Sequence, residues 1–453
     1  MRAAAQWLRG PACAAPRIVR LWILLALLAY TLAGAVLLNR LQHRGGQPVD
    51  SLGFGYGVLI HAIETTGAYR VVGVHYPGMA FSAHRLPLIP YFLMFLQRLA
   101  GDDLGRVALL KCAVFNVFLG AAVLIVAARS RAPLGLLLFV LAVVFTMPRW
   151  VLNAFEVGLE EGYEIGVLGL LFAVLWFVPP PPARLRRLGW AAGIGSLLVL
   201  LLFIKSSMLY WCVACPALVA FRARDWRPAA AALAIVACGL LALADFNRVH
   251  AGRFTLESSW EGWNLYKGNS PYTKAIYPPY SLDTLDDQGK MVADRPLADE
   301  WDYNRYFKGR ALAFIRGNPG VFLELVMRKA WIFFGEVRNS GLRLGEKRMG
   351  TPLAWAQLCW MVVFRAAFWW AIVDALRAVF RKRGQVSEID LSAGGHIYFR
   401  DLTPFFVALG YLGFLVLYSG FHVIGFAYER HVMPVVLPTA LYLIRRLGAP
   451  SVA

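Results

Sequence analysis

LWILLALLAYTLAGAVLL, Leu21–Leu38, contains no charged residue and is followed by Asn39-Arg40. A bilayer core is crossed by roughly 20 apolar residues in a helix. The run is longer than the apolar core of a signal peptide, and no small-residue cleavage site follows it, so it reads as an uncleaved helix. Working outward, comparable runs recur at 105–128, 133–148, 162–181, 189–204, 207–221, 228–246, 354–376, 402–421 and 431–445. With 20–39 they make ten candidate spans. The pair 189–204 and 207–221 is short and broken by Lys205, which leaves one interrupted helix or a tight hairpin.

Composition points the same way. Of 453 residues, 59% are hydrophobic and only 16% charged, whereas soluble domains run near 25% charged. A net charge of +19 could suggest nucleic acid, but the basic residues fall mostly at the ends of apolar runs, where membrane topology puts them. A nucleic-acid partner is therefore excluded. The CxxC of Cys212 and Cys215 lies inside an apolar helix with no second pair, so it reads as packing.

Lys and Arg clusters set the orientation. With the N-terminus inside, Arg129 and Arg131, then Arg184, Arg186 and Arg187, then Arg222, Arg224 and Arg227, then Arg381, Lys382 and Arg383, then Arg445 and Arg446 all fall on the inner side. Both termini are then cytoplasmic, and two long segments, 40–104 and 247–353, lie outside. The expected organisation is an N-terminal transmembrane catalytic module (1–246, including the first outer loop), a large outer loop with interfacial helices (247–353) and C-terminal transmembrane helices (354–453). The first outer loop holds helix-like stretches near 53–66 and 88–100. The second turns helical from about 299, and its apolar stretch 321–334, interrupted by Glu324, Arg328 and Lys329, reads as an amphipathic interfacial helix.

Ionisable residues near membrane surfaces are costly and so are candidates for function. Asp50 sits in the first outer loop just before Ser51 and Tyr56; alone, it could equally cap a helix. Glu156, Glu160, Glu161 and Glu164 crowd the segment that opens the span at 162–181. Lys205, with Ser206 and Ser207, suits a phosphate, with snorkelling to the headgroups as the alternative. Residues 257–271 interleave Trp263 with Asn264, Lys267 and Asn269, a surface suited to sugar rings, whose hydroxyls the amides can both donate to and accept from. The last outer loop, His422 to His431, includes Arg430 and has no metal-ligand spacing.

In order along the chain, these pieces resemble the GT-C class of polyprenyl-phosphate-sugar-dependent membrane glycosyltransferases, in the bacterial branch of protein mannosyltransferases and aminoarabinose transferases that modify lipopolysaccharide. The resemblance is carried by Asp50-Ser51 through Tyr56, Gly67-Ala68-Tyr69, Arg85-Leu86-Pro87 through Gly101, Glu160-Glu161, Lys205 in place of a commoner Arg, Gly268-Asn269-Ser270-Pro271, Asn318-Pro319 through Lys329 and Phe333-Phe334, and Glu429-Arg430-His431 through Pro434. It implies an all-α polytopic GT-C-like fold of about ten transmembrane helices. It also implies an inverting transferase that moves a sugar from a polyprenyl-phosphate donor to an envelope glycan, lipid or protein at the periplasmic face of the bacterial inner membrane. Asp50 would serve as base, assisted by Glu160 or Glu161. Lys205, helped by Arg85 or Arg430, would stabilise the departing phosphate, while Tyr56, Trp263, Asn264, Lys267, Asn269 and His422 would line the substrate. The acidic pair common in the first loop of that family is here Asp50 next to Ser51, which leaves assistance by a divalent metal open; no metal ligands are assigned. A lipid or solute transporter, an O-antigen polymerase or ligase and a non-catalytic scaffold share the gross composition. Large outer loops and charges placed outside the midplane favour the transferase.

Overall fold

A computed structural model describes residues 17–41, 46–53, 55–73, 76, 78–147, 156–277, 282, 285, 289–336, 343, 344, 347, 348, 351–383, 403–425 and 427–447. Ten helices stand where ten spans are expected. They are α1 (Arg17–Leu41), α4 (Leu104–Arg129), α5 (Leu134–Thr146), α6 (Glu160–Phe177), α7 (Arg184–Ile204), α8 (Leu209–Ala223), α9 (Trp226–Ala251), α13 (Thr351–Arg383), α14 (Thr403–Ile424) and α15 (Met433–Leu447). Among the described residues, six helices are long and apolar enough to cross a membrane: Leu104–Arg129, Arg184–Ile204, Ser206–Ala223, Trp226–Ala251, Ala354–Phe380 and Pro404–Ile424. Helix α5 is shorter, and α6 opens with Glu160, Glu161 and Glu164. The protein is thus a multi-pass helical membrane protein, with almost no sheet among the described residues.

Helix α6 occupies the middle of the bundle, and nearly all of it is buried against α4, α7 and α15. Small residues permit this. The Leu437 side chain of α15 fills the space beside Gly169, where an added Cβ would lie 2.3 Å from its terminal methyl and push that side chain aside. Burying an element that begins with three carboxylates forces each of them to find a partner.

The break at Lys205 is a hairpin. Lys205 has an extended backbone (φ −152°, ψ 126°), and a single 3-10 turn, Ser206–Met208, leads into α8. Cys212 donates to the carbonyl of Leu198 at 3.1 Å, and these residues lie seven positions either side of Lys205. The chain therefore folds back on itself and carries Lys205 at the tip.

The two long segments expected to lie outside the membrane form α2 (Tyr56–Thr66), α3 (Leu88–Ala100), α10 (Glu261–Gly268), α11 (Glu300–Gly317) and α12 (Pro319–Phe334), called the outer helices below. Strands β1 (Val71–Val72) and β2 (Ala80–Phe81) pair antiparallel between α2 and α3. Four of these helices match the expected stretches, and α10 does not: its aromatic and turn-forming sequence reads as a loop. Tertiary contact overrides the local signal. Gly262 packs so closely on α11 that an added Cβ would lie 2.0 Å from the carbonyl of Asn304, and the Asn304 side chain accepts from the Gly262 N–H at 2.6 Å. A second core of Tyr69, Phe81, Trp260, Tyr303 and Phe307 unites the outer helices.

Candidate active site

A cavity of about 820 Å³ opens at the end of the bundle where α6 begins and α7 ends. The outer helices α10 and α11 and the last outer loop close over it. Its charged lining comes from six separate parts of the chain, which the fold brings together.

Glu160, the first residue of α6, faces Arg85 at 3.2 Å and accepts from the Tyr56 hydroxyl at 3.1 Å, both through Oε1. The Arg85 guanidinium lies over two rings, 4.9 Å from the centre of Tyr56 and 5.0 Å from that of Trp260. Such stacking suits the flat guanidinium. The turn that carries Arg85 is pinned from the outer layer. Glu300, at the start of α11, accepts from the backbone N–H groups of Ser82 and Ala83 at 2.9–3.1 Å, and the Ala83 carbonyl accepts from Ser259. Burial pushes the Glu300 carboxyl above the ordinary carboxylate range, against the pull of those N–H donors.

Glu161 has different neighbours. It meets Lys205 at 2.9 Å, Arg430 at 3.7 Å and His431 at 3.5 Å. Lys205 also reaches Glu164 at 3.4 Å, and all three side chains of this triad are nearly or fully buried. His431 Nδ1 accepts from the Tyr428 N–H at 3.3 Å, which turns Nε2 towards Glu161. His422 lies against His431, with ring centres 4.1 Å apart. The third wall is α10. Trp260 and Trp263 lie 5.4 Å apart, and the Lys267 ammonium sits 3.9 Å above the Trp263 ring. Burial raises the Glu261 carboxyl above its usual range.

Of the residues expected from sequence, Arg85, Glu160, Glu161, Lys205, Trp263, Asn264, Lys267, His422 and Arg430 line this cavity. Three do not. Tyr56 is buried behind Glu160 and Arg85, where it orients both rather than facing a ligand. Asn269 is buried below the cavity, bonded to Lys329 and to the carbonyls of Leu265 and Ile424. Asp50 lies in the 3-10 turn Val49–Ser51, half-exposed, with His61 at 3.7 Å. The catalytic role expected of Asp50 therefore does not follow from the cavity geometry, because the turn directs its carboxylate to α2 and solvent. The part of the acidic loop at 148–155 lies outside the described residues.

Sequence reasoning assigned no role to His84, Trp260, Glu261, Lys308, Tyr428 or His431, which also line the cavity. Trp260, Glu261, Tyr428 and His431 sit inside stretches already of interest. Lys308 had no local signal: it lies on an ordinary amphipathic helix, and only the packing of α11 on α10 brings it to the site. Among the described residues, no group of three or more His, Cys, Asp or Glu could hold a metal ion.

A cavity with five cations, three carboxylates and two indoles can bind an anionic ligand and present a carboxylate to a hydroxyl beside it. No protein-family model and no curated protein matches this chain. Among solved structures, the archaeal oligosaccharyltransferase AglB from Archaeoglobus fulgidus, in complex with an inhibitory peptide and a dolichol-phosphate, aligns with 93% of this chain at 10% identity and TM-score 0.44. The alignment covers 50% of that chain, so this protein spans about half its length.

Proposed function

We propose that the protein is an integral-membrane glycosyltransferase. It would move a sugar from a polyprenyl-phosphate donor to an envelope lipid, glycan or protein at the periplasmic face of the bacterial inner membrane. The observation that carries this reading is the convergence of Arg85, Lys205, Arg430 and Glu160 in one cavity at the end of a helical membrane bundle. A charged cavity at one end fits lipid-linked chemistry at the bilayer surface better than a transporter's midplane site.

In this reading the donor phosphate lies near Lys205 and Arg430, and its sugar lies against Trp260 and Trp263. The acceptor oxygen attacks the anomeric carbon and forms the new glycosidic bond. The bond between that carbon and the phosphate oxygen breaks, and the phosphate leaves with the electron pair. One such displacement inverts the anomeric centre. Positive charge on the sugar builds up as the bond loosens, as in other glycosyl transfers. Fixed cations at the departing phosphate then lower the barrier.

The acceptor proton passes to Glu160. Its Oε1 is held by Tyr56 and Arg85, which orients the carboxylate towards the cavity. Glu161 instead serves as the counterion that gathers Lys205, Arg430 and His431. Glu160 is preferred to Asp50 as base because Asp50 stands outside the cavity.

The test is sugar transfer from a panel of polyprenyl-phosphate sugars in purified membranes. Glu160→Gln should lower turnover by about 10²–10⁴, the usual worth of a positioned acid or base, at unchanged expression. Asp50→Asn should transfer like the parent protein. The reverse pattern would return the base to Asp50, and transfer from no donor would remove the enzyme reading.

A further inference from the structure

The cavity mechanism leaves Lys329 unused, although its surroundings are unusual. Lys329 lies in α12, is fully buried and does not line the cavity. Its ammonium meets the carbonyls of Gly268 at 3.2 Å, Ile424 at 3.0 Å and Gly425 at 2.9 Å, and the side-chain oxygen of Asn269 at 2.9 Å. Gly268 is the last residue of α10, and Ile424 is the last residue of α14. Two helices therefore end at one point. The last carbonyls of a helix have no partner within it and carry the negative end of its dipole. Two such ends face to face repel each other unless a cation stands between them. Asn269 adds a second link, donating to the carbonyls of Leu265 and Ile424 at 2.9 and 3.0 Å.

Each joined end carries cavity wall. Lys267 directly precedes Gly268, with Trp263 and Asn264 a turn earlier; His422 lies two residues before Ile424. We propose that Lys329 is a positioning residue that bolts the α10 wall of the cavity to the α14 wall. The proposal rests on the transferase reading only for which reaction the walls serve. The bolt itself is a property of the fold and can be tested without activity.

The experiment uses the full-length protein in nanodiscs. Amide hydrogen exchange is followed by mass spectrometry in Lys329→Met and in the milder Asn269→Ala, alongside binding of farnesyl phosphate. In Lys329→Met, exchange should rise about tenfold or more at 261–269 and 420–425, with α4 and α11 unchanged. Farnesyl phosphate binding should weaken, because Lys267 and His422 lose their fixed spacing. Asn269→Ala should show a smaller rise in the same two segments, and it carries the test if the Met variant does not fold. Unchanged exchange in both segments would overturn the proposal. So would a rise spread equally over α4 and α11, which would mark Lys329 as a general stabiliser. Failure of the parent protein to transfer sugar would remove the enzyme reading but leave the exchange result to decide the bolt.

Discussion

Two of the lysines buried at this end of the molecule, Lys205 and Lys329, are neutralised in opposite ways. Lys205 meets two carboxylates, Glu161 and Glu164. Lys329 meets three backbone carbonyls and an amide oxygen. The first arrangement is an ion triad at the edge of a cavity. A ligand phosphate can compete there for Lys205, and Glu161 can turn towards Arg430 and His431 instead. The second is closed: its acceptors belong to helix ends, which cannot move without opening the fold. Charged partners thus keep a lysine available for chemistry, while backbone partners make it a fastener. Both satisfy the rule that a buried charge must be compensated, but only the triad borders the site.

The largest test of this contrast is Lys205→Met. It removes the lysine that Glu164 pairs with and leaves Glu161 with only the longer contacts to Arg430 and His431, and should cost about 3–5 kcal/mol, read as loss of folded protein in a thermal or denaturant melt. Adding Glu161→Gln and Glu164→Gln to the same chain should recover most of that stability but not transfer. Failure to recover would mean that Lys205 matters for packing rather than charge. Lys329→Met should cost less, about 1–3 kcal/mol, because only neutral acceptors are left unpaired. A cost equal to that of Lys205→Met would erase the distinction.

A smaller effect should appear at the opposite end of the bundle. There Tyr442 donates to Asp374 at 2.6 Å, and Arg446 holds the same carboxylate. Tyr442→Phe removes one hydrogen bond and should lower stability by about 1 kcal/mol with transfer unchanged. Loss of transfer there would mean that the site senses the far end. The smallest effect concerns pH. Burial raises the Glu261 carboxyl, so in the folded protein it keeps its proton to a higher pH than an ordinary glutamate. Proton loss as pH rises places a negative charge beside the anionic ligand, so farnesyl phosphate binding should weaken through that range. Glu261→Gln should flatten this limb; an unaltered slope would assign it to another group.

Ten apolar runs became ten helices, and their edges mostly agree within a few residues. Apolar length is a local property, and a bilayer reads it without regard to the rest of the chain. The amphipathic stretch at 321–334 was legible for the same reason. The candidate site was only partly legible. Residue types with a strong chemical character and an unusual location, such as Lys205 and Glu160-Glu161, stood out. Their partners did not, because hydrogen bonds such as Tyr56 to Glu160 join residues 104 positions apart.

Sequence alone determined that this chain needs an apolar solvent, where its helices run and which end of the bundle gathers the charge. Tertiary structure alone decided that Lys205 is the tip of a hairpin, that 261–268 is helical, that Glu160 rather than Asp50 faces the cavity, and that Lys329 joins two helix ends. The physical reason is range. Hydrophobic burial in a helix is set by neighbours a few residues away. The partner of a buried charge is chosen by whichever elements the packing brings within about 3 Å.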